Sequence, residues 1–377
     1  MARSSLPDLP AGDLPFACAA PPPAVVAPGE FHFAAAWLDH GHVHDQAAAL
    51  IAAGATLAGV YDPHPGRVQA FRARFGEVPV YAHFEDVLAD DRVRLVASAA
   101  VPARRADIGL QVLAAGKDYF TDKSPFTDLS QLARVRAAVA STGRRYFVYY
   151  AERVHNRPSW YAAELARGGS IGRVVQVLVM APHNLGNYRR PDWFFDKSQY
   201  GGILTDIGSH QFEQFLYITG TSGGRIEHAR VDNLANPHTP GLEDFGEAAV
   251  TLDDGTSAYC RVDWLNPAAS RTWGDGRTFI LGTDGYIEVR RNVDAGRPDG
   301  TPCIVLVNQR EERMIRFDGS EPLPFFGRLV RDCIDGTEHA MTQAHAFAAA
   351  ELSMRAQAVA DARRMGAAPA VLEGQPQ

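Results

Sequence analysis

From residue 31 to residue 150 the chain alternates short apolar runs with helix-like segments, and no other feature constrains its fold as tightly. Strand-like runs are expected over 31–38, 56–61, 78–81, 95–100, 118–121 and 145–150, and helical spacing over 43–53, 67–75, 84–89, 105–115 and 131–141. Repeated strand–helix–strand units return each strand to one sheet as a parallel neighbour, through right-handed crossovers. This region therefore predicts a doubly wound parallel sheet, which binds ligands beyond the carboxyl ends of its strands.

Past residue 150 the pattern changes. After a helix near 159–167, strands dominate, over 174–180, 225–231, 247–252, 256–264, 278–281, 286–290 and 303–308. Asp253-Asp254-Gly255 and Thr283-Asp284-Gly285 carry hairpin-turn chemistry between strand-like runs. This half reads as a mostly antiparallel sheet with one helix inserted near 206–217 and closing helices over 327–333 and 344–363. The 377 residues suffice for two domains.

Composition narrows the possible roles. With 46% apolar and 21% charged residues the chain is globular, and a net charge of −7 with no basic block argues against nucleic acid or an anionic membrane as its main partner. Arginine pairs such as Arg104-Arg105 are isolated and read as solvated faces. Four scattered cysteines without C-x-x-C suggest neither a metal framework nor a disulfide set, and fit a reducing cytoplasm. The first 29 residues, broken by prolines, are expected to be a tail rather than a signal peptide.

Three motifs carry chemistry. Gly201-Gly202-Ile203-Leu204-Thr205-Asp206-Ile207-Gly208-Ser209-His210 places a carboxylate and an imidazole four residues apart, hence on one face if the run is helical. Such a pair suits proton transfer near neutral pH, although helical histidines are more often structural. Lys123, in Asp122-Lys123-Ser124-Pro125, ends a short strand at the ligand-binding edge of the sheet. There it could stabilise alkoxide charge, against the alternative of a surface lysine.

The third motif is the first strand–helix turn, Trp37-Leu38-Asp39-His40-Gly41-His42. A dinucleotide fingerprint would hold three glycines here, and Gly41 stands alone. Asp62 follows Gly41 by 21 positions, where an acidic residue can accept the ribose hydroxyls of NAD and repel the 2′-phosphate of NADP; it equally suits the start of a turn at Asp62-Pro63. His40, His42 and His44 alternate and would share one face of a strand, as metal ligands in a metal-dependent hydrolase. Helical geometry would scatter them, so the expectation is no metal, with the imidazoles of His40 and His42 lining a pyrophosphate.

Jointly these residues resemble the glucose–fructose oxidoreductase / inositol dehydrogenase / rhizopine-catabolism (Gfo/Idh/MocA) family, from about residue 31 to 364. Its Glu-Lys-Pro is matched by Asp122-Lys123-Ser124-Pro125, with Asp for Glu and a serine before the proline. Its G-G-x-x-x-D-x-G-x-H is complete at 201–210. Gly116-Lys117-Asp118-Tyr119-Phe120 resembles the approach to the lysine, and Ser98-Ala99-Ala100-Val101-Pro102 the cofactor-side loop.

The resemblance implies an α/β chain: an N-terminal Rossmann domain over 30–153, then an α+β substrate and oligomerisation domain with an open sheet over 154–364, and tails over 1–29 and 365–377. It implies Lys123, Asp206 and His210 as the catalytic set. Cofactor contacts are expected at His40, Gly41, His42, Asp62, Arg67, Ser98, Ala99, Ala100, Pro102, Asp122 and Lys123. Substrate contacts are expected at Tyr150, Arg153, His155, His183, Asn184, Arg190, Trp193 and Gln211. The implied activity is NAD(P)-dependent oxidation of a secondary alcohol of a sugar, cyclitol or related polyol, by a homo-oligomer, with NAD favoured. Alternatives are a non-catalytic regulator of the same fold and a redox-assisted NAD-dependent glycosidase.

Overall fold

The computed structural model describes residues 8–9, 24–186, 190–296 and 300–365. The expected N-terminal tail lies outside them except for 8–9 and 24–29, as does the C-terminal tail beyond 365, together with Cys18 and Arg189.

Two sheets organise the chain. In sequence order the strands are β1 (Asp8–Leu9), β2 (His32–Ala36), β3 (Thr56–Tyr61), β4 (Val93–Ser98), β5 (Asp118–Asp122), β6 (Tyr146–Tyr149), β7 (Val174–Pro182), β8 (Gly224–Asp232), β9 (Phe245–Leu252), β10 (Ser257–Asp263), β11 (Arg277–Gly282), β12 (Gly285–Arg290), β13 (Cys303–Asn308) and β14 (Glu312–Arg316). Strands β2 to β6 form an all-parallel sheet in the order β3-β2-β4-β5-β6. The expected strand at 78–81 is reduced to a single bridge, Val60 to Val80, because Pro79 removes a donor from so short a run. The other nine strands form the second sheet, in the order β1-β14-β13-β12-β11-β7-β10-β9-β8. It is mostly antiparallel; β7 runs parallel to β10, and β1 to β14.

Burial explains why the two sheets read differently in the sequence. Along β5 and β6 every residue is buried, since helices cover both faces of a parallel sheet. Along β9 burial alternates residue by residue, because only one face meets helices and the other looks outward. The covering helices are Gly208–Thr219 and Gln343–Arg364, which pack on each other. The second starts at Thr342, whose hydroxyl caps it by accepting from the His345 N–H.

The closing helices do not stay with the second half. Phe325 and Phe326 pack on Phe120, and the Gln343 side chain accepts from the Tyr146 N–H at 2.7 Å. The chain thus returns to the first sheet and packs against the middle of β5 and the start of β6. Among the described residues, no helix is long and apolar enough to cross a membrane.

Candidate active site

Lys123 follows β5 directly, and its Nζ donates to Asp206 Oδ1 at 2.7 Å. Asp206 closes the short helix Ile203–Asp206, and His210 sits in the first turn of Gly208–Thr219. The paired glycines make this bend. Gly202 has φ 93°, and a Cβ there would lie 2.3 Å from the Gln357 amide. Leu204 N–H instead reaches the Gln357 side-chain oxygen at 2.9 Å, fixing the element that presents Asp206.

Electrostatics set the protonation states. Burial pushes the Asp206 carboxyl up, but Lys123 beside it outweighs burial and holds it below its ordinary value. His210 is 3% exposed, and burial lowers its pKa to about 3, against the opposing pull of Glu152. The imidazole is therefore neutral at pH 7. Its Nδ1 has no hydrogen-bond partner among the described residues. A neutral imidazole lining a cavity can take a proton from a ligand hydroxyl that enters it. Asp206 is bonded to the lysine, and the leading carboxylate acting on His210 is Glu152.

Glu152 was not anticipated from the sequence. It accepts from Gln211 Nε2 at 2.7 Å and from Arg291, and lies 3.2 Å from His183 Nε2. Burial raises its pKa, but Arg291, His210 and His183 bring it well below normal. Its one sequence signal was its place, three residues past β6. Arg105 was read as solvated and is 1% exposed, beneath the lysine, bonded to Ala100 O at 2.7 Å and Ser124 O at 2.9 Å. Its partner Arg104 lies over the Trp37 ring, 4.4 Å from the centroid.

Lys123, Asp206, His210, Glu152, His183, Arg190, Trp193, His40, His42 and Asp122 line one cavity of about 90 Å³, completed by Trp264 and Trp273. Other expected substrate contacts are engaged elsewhere. Arg153 is 1% exposed, paired with Glu213 at 2.8 Å and stacked on Tyr217, so it braces the helix that carries His210. Tyr150 donates its hydroxyl to Ala346 O at 2.9 Å, and His155 bonds the Tyr149 hydroxyl at 2.5 Å. Asn184 donates to Asn266 O, and Gln211 serves Glu152.

The fold implies a dinucleotide, whose pyrophosphate would meet backbone N–H groups at the first turn. The residues there depart from the glycine cradle that usually receives it. Trp37 has φ 58° and packs against Tyr61 and Phe84, with centroids at 5.3 and 5.6 Å, under Arg104. Asp39 Oδ1 accepts from Arg67 at 2.6 Å, while Oδ2 is buried without a partner among the described residues. The buried Asp62 carboxylate accepts from the Leu38 and His64 N–H groups at 2.7 and 2.8 Å, so the oxygens expected to meet ribose serve the backbone. An anionic pyrophosphate would meet the Asp39 carboxylate, paired with Arg67, where glycine N–H groups were expected.

Of the cofactor-side loop, Ala99 O accepts from the His40 N–H at 2.9 Å and Ala100 O from Arg105, while the Ser98 hydroxyl is buried beside that of Tyr119. Pro102 opens the helix Pro102–Ala114. Gly41 caps the helix His42–Ala52 with an ordinary φ of −61°. His40 and His42 are not scattered as helical residues would be. One precedes the helix and the other opens it, so both imidazoles reach Asp122, whereas His44 packs near Phe71 and Phe75.

Residues 29–150 match the model of the oxidoreductase family with an NAD-binding Rossmann fold, and residues 160–288 the GFO/IDH/MocA C-terminal domain. A solved protein from Erwinia carotovora atroseptica, classed as an oxidoreductase, shares 44% identity over 87% of this chain and 98% of its own, with a TM-score of 0.84. A levoglucosan dehydrogenase solved with NADH and levoglucosan is similar over 88% of this chain and 98% of its own, at TM-score 0.72 and 15% identity, a likeness of fold. An oxidoreductase of Schizosaccharomyces pombe is 28% identical over 152 residues, and the match spans 40% of that relative's length.

Proposed function

This chain belongs to the Gfo/Idh/MocA family of oxidoreductases, whose N-terminal domain is an NAD-binding Rossmann fold, and we propose that it acts on a secondary alcohol of a sugar, cyclitol or related polyol. The observation that carries this reading is the Lys123–Asp206 pair lining the same cavity as His210, whose buried imidazole is neutral. Lys123, held by Asp206, polarises the reacting oxygen. His210, neutral by burial, takes the hydroxyl proton in oxidation and returns it in reduction. Glu152 stabilises the charge that the imidazole then carries. Trp193, Trp264 and Trp273 supply flat apolar walls for the carbon face of a polyol, and His183 and Arg190 supply polar contacts.

When bound, a nicotinamide dinucleotide supplies hydride transfer in this class of reaction. The first turn offers it no glycine cradle, and Asp39 and Asp62 would repel the 2′-phosphate of NADP more than the hydroxyls of NAD. Assembly through the outer face of the second sheet, where Val175, Met180 and Leu281 are exposed, completes the proposal; light scattering would measure it.

A panel of polyols with NAD and NADP tests the activity, with Lys123→Ala and His210→Ala as controls. Near-normal turnover in both variants on the best substrate would refute it. The filled first turn specifically favours a second reading, a polyol-binding regulator without turnover. A polyol that stabilises the chain against heat while NADH gives no binding signal would decide for that reading.

A further inference from the structure

The side chains standing where glycines were expected make a donor set of their own. His40 Nδ1 lies 2.9 Å from Asp122 Oδ2, and His42 Nδ1 lies 2.8 Å from Asp122 Oδ1. The two rings are 4.2 Å apart and nearly perpendicular, at 85°. We propose that His40, His42 and Asp122 bind a divalent first-row metal ion through two imidazoles and one carboxylate, with water from the adjoining cavity in the remaining positions.

Distances support a shared ion. In a six-coordinate first-row ion with metal–nitrogen and metal–oxygen bonds of roughly 2.0–2.2 Å, adjacent bonds at a right angle place their donors about 2.8–3.1 Å apart. Both observed separations fall in that interval, and all three candidate ligand atoms lie within 4.8 Å of one another. A two-histidine, one-carboxylate set at right angles leaves open positions on one side, the arrangement that first-row metals use to hold exchangeable ligands. The open side here borders the cavity of about 90 Å³. A water needs only about 10–15 Å³ of such space, so the cavity can hold water beside the ion.

Asp122 also accepts from the Lys123 N–H at 2.8 Å and is ion-paired with Arg105, and the neighbouring cations have further partners. Arg105 reaches Oδ2 at 3.2 Å, longer than its bonds to Ala100 O and Ser124 O. Lys123 Nζ is engaged by Asp206. In the metal-free state the imidazoles share the carboxylate through their Nδ1–H groups. Moving each proton to Nε2 frees both Nδ1 lone pairs without changing the charge of either ring. This proposal does not rest on the alcohol chemistry above, and its readout is independent of turnover.

The test uses the full chain, purified without a metal-affinity tag and dialysed against chelator, then titrated with zinc chloride by calorimetry and with cobalt chloride by visible absorption. One equivalent should bind, with cobalt d–d bands of a nitrogen–oxygen site. Binding should be lost in His40→Gln and in His42→Gln and kept in His44→Gln, each variant being checked for native circular dichroism and melting. Absence of stoichiometric binding to the parent chain would overturn the proposal. So would unchanged binding in folded His40→Gln and His42→Gln, which would place the ion elsewhere.

Discussion

The two ends of the crevice have been treated oppositely by this chain. At the substrate end, Lys123, Asp206 and His210 stand in one cavity, with a 2.7 Å ion pair and a neutral imidazole. At the phosphate end, Trp37, Asp39 and His42 fill a turn whose expected partner is an anion. The difference teaches that acid–base groups and phosphate cradle are separable parts of one fold. The first requires charged and titratable side chains, the second their removal.

The sharpest way to break the contrast is at the substrate end. His210→Ala and Lys123→Ala should each lower kcat by about 10²- to 10⁴-fold, as loss of a proton-transfer group does. Trp37→Phe, measured beside them, should retain most of the parent's turnover. Steady-state kinetics on the best polyol would show this, and equal losses in all three would erase the distinction.

Next in size is the support of that end. Arg153→Met strips a buried carboxylate, Glu213, of its main partner, although His345 remains 2.9 Å away. Unfolding should cost about 3 kcal/mol less, measured by denaturant titration, whereas activity per folded molecule changes little. A direct substrate role for Arg153 would show instead as a raised KM at unchanged stability.

Acidification sharpens the comparison more gently. The folded pKa of His210 is depressed to about 3, below its unfolded 6.5, so between these values the unfolded state binds the extra proton. Its contribution to stability is complete above pH 6.5. As pH falls towards 3 it is lost at about 1.4 kcal/mol per pH unit. His210→Gln should flatten that part of the stability–pH curve. The smallest effect is expected at the phosphate end, where Trp37→Gly with Asp39→Gly should tighten NADH binding by about tenfold, or ~1.4 kcal/mol, in a fluorescence titration. No gain there would acquit the two side chains of blocking the dinucleotide.

Much of this was legible beforehand where neighbours in sequence carry the signal. The strand–helix rhythm of residues 31–150 is local periodicity, and four of its expected strands, near 31–38, 56–61, 95–100 and 118–121, stand in the parallel sheet with the one near 145–150. Lys123, Asp206 and His210 were singled out through short motifs, and the fold brings all three to one cavity. Arg105 was misread because an arginine pair looks solvated until the loops at 98–102 and 122–124 fold over it and offer carbonyl oxygens. Arg153 and Tyr150, expected as ligand contacts, are engaged by Glu213 and the Ala346 carbonyl, since aromatic and charged residues look alike in sequence whether they face a ligand or a helix.

By itself the sequence determined the two sheets, their order along the chain and the substrate-end motif, since periodicity, turn residues and strand ends are properties of adjacent residues. Only the tertiary structure decided that His40 and His42 meet Asp122, 80 residues beyond His42, and that Arg291 meets Glu152, 139 residues before it. Such meetings depend on how strands pair and helices close over them. Local residue spacing does not encode them, and the two ends of the crevice therefore became distinct only in the folded chain.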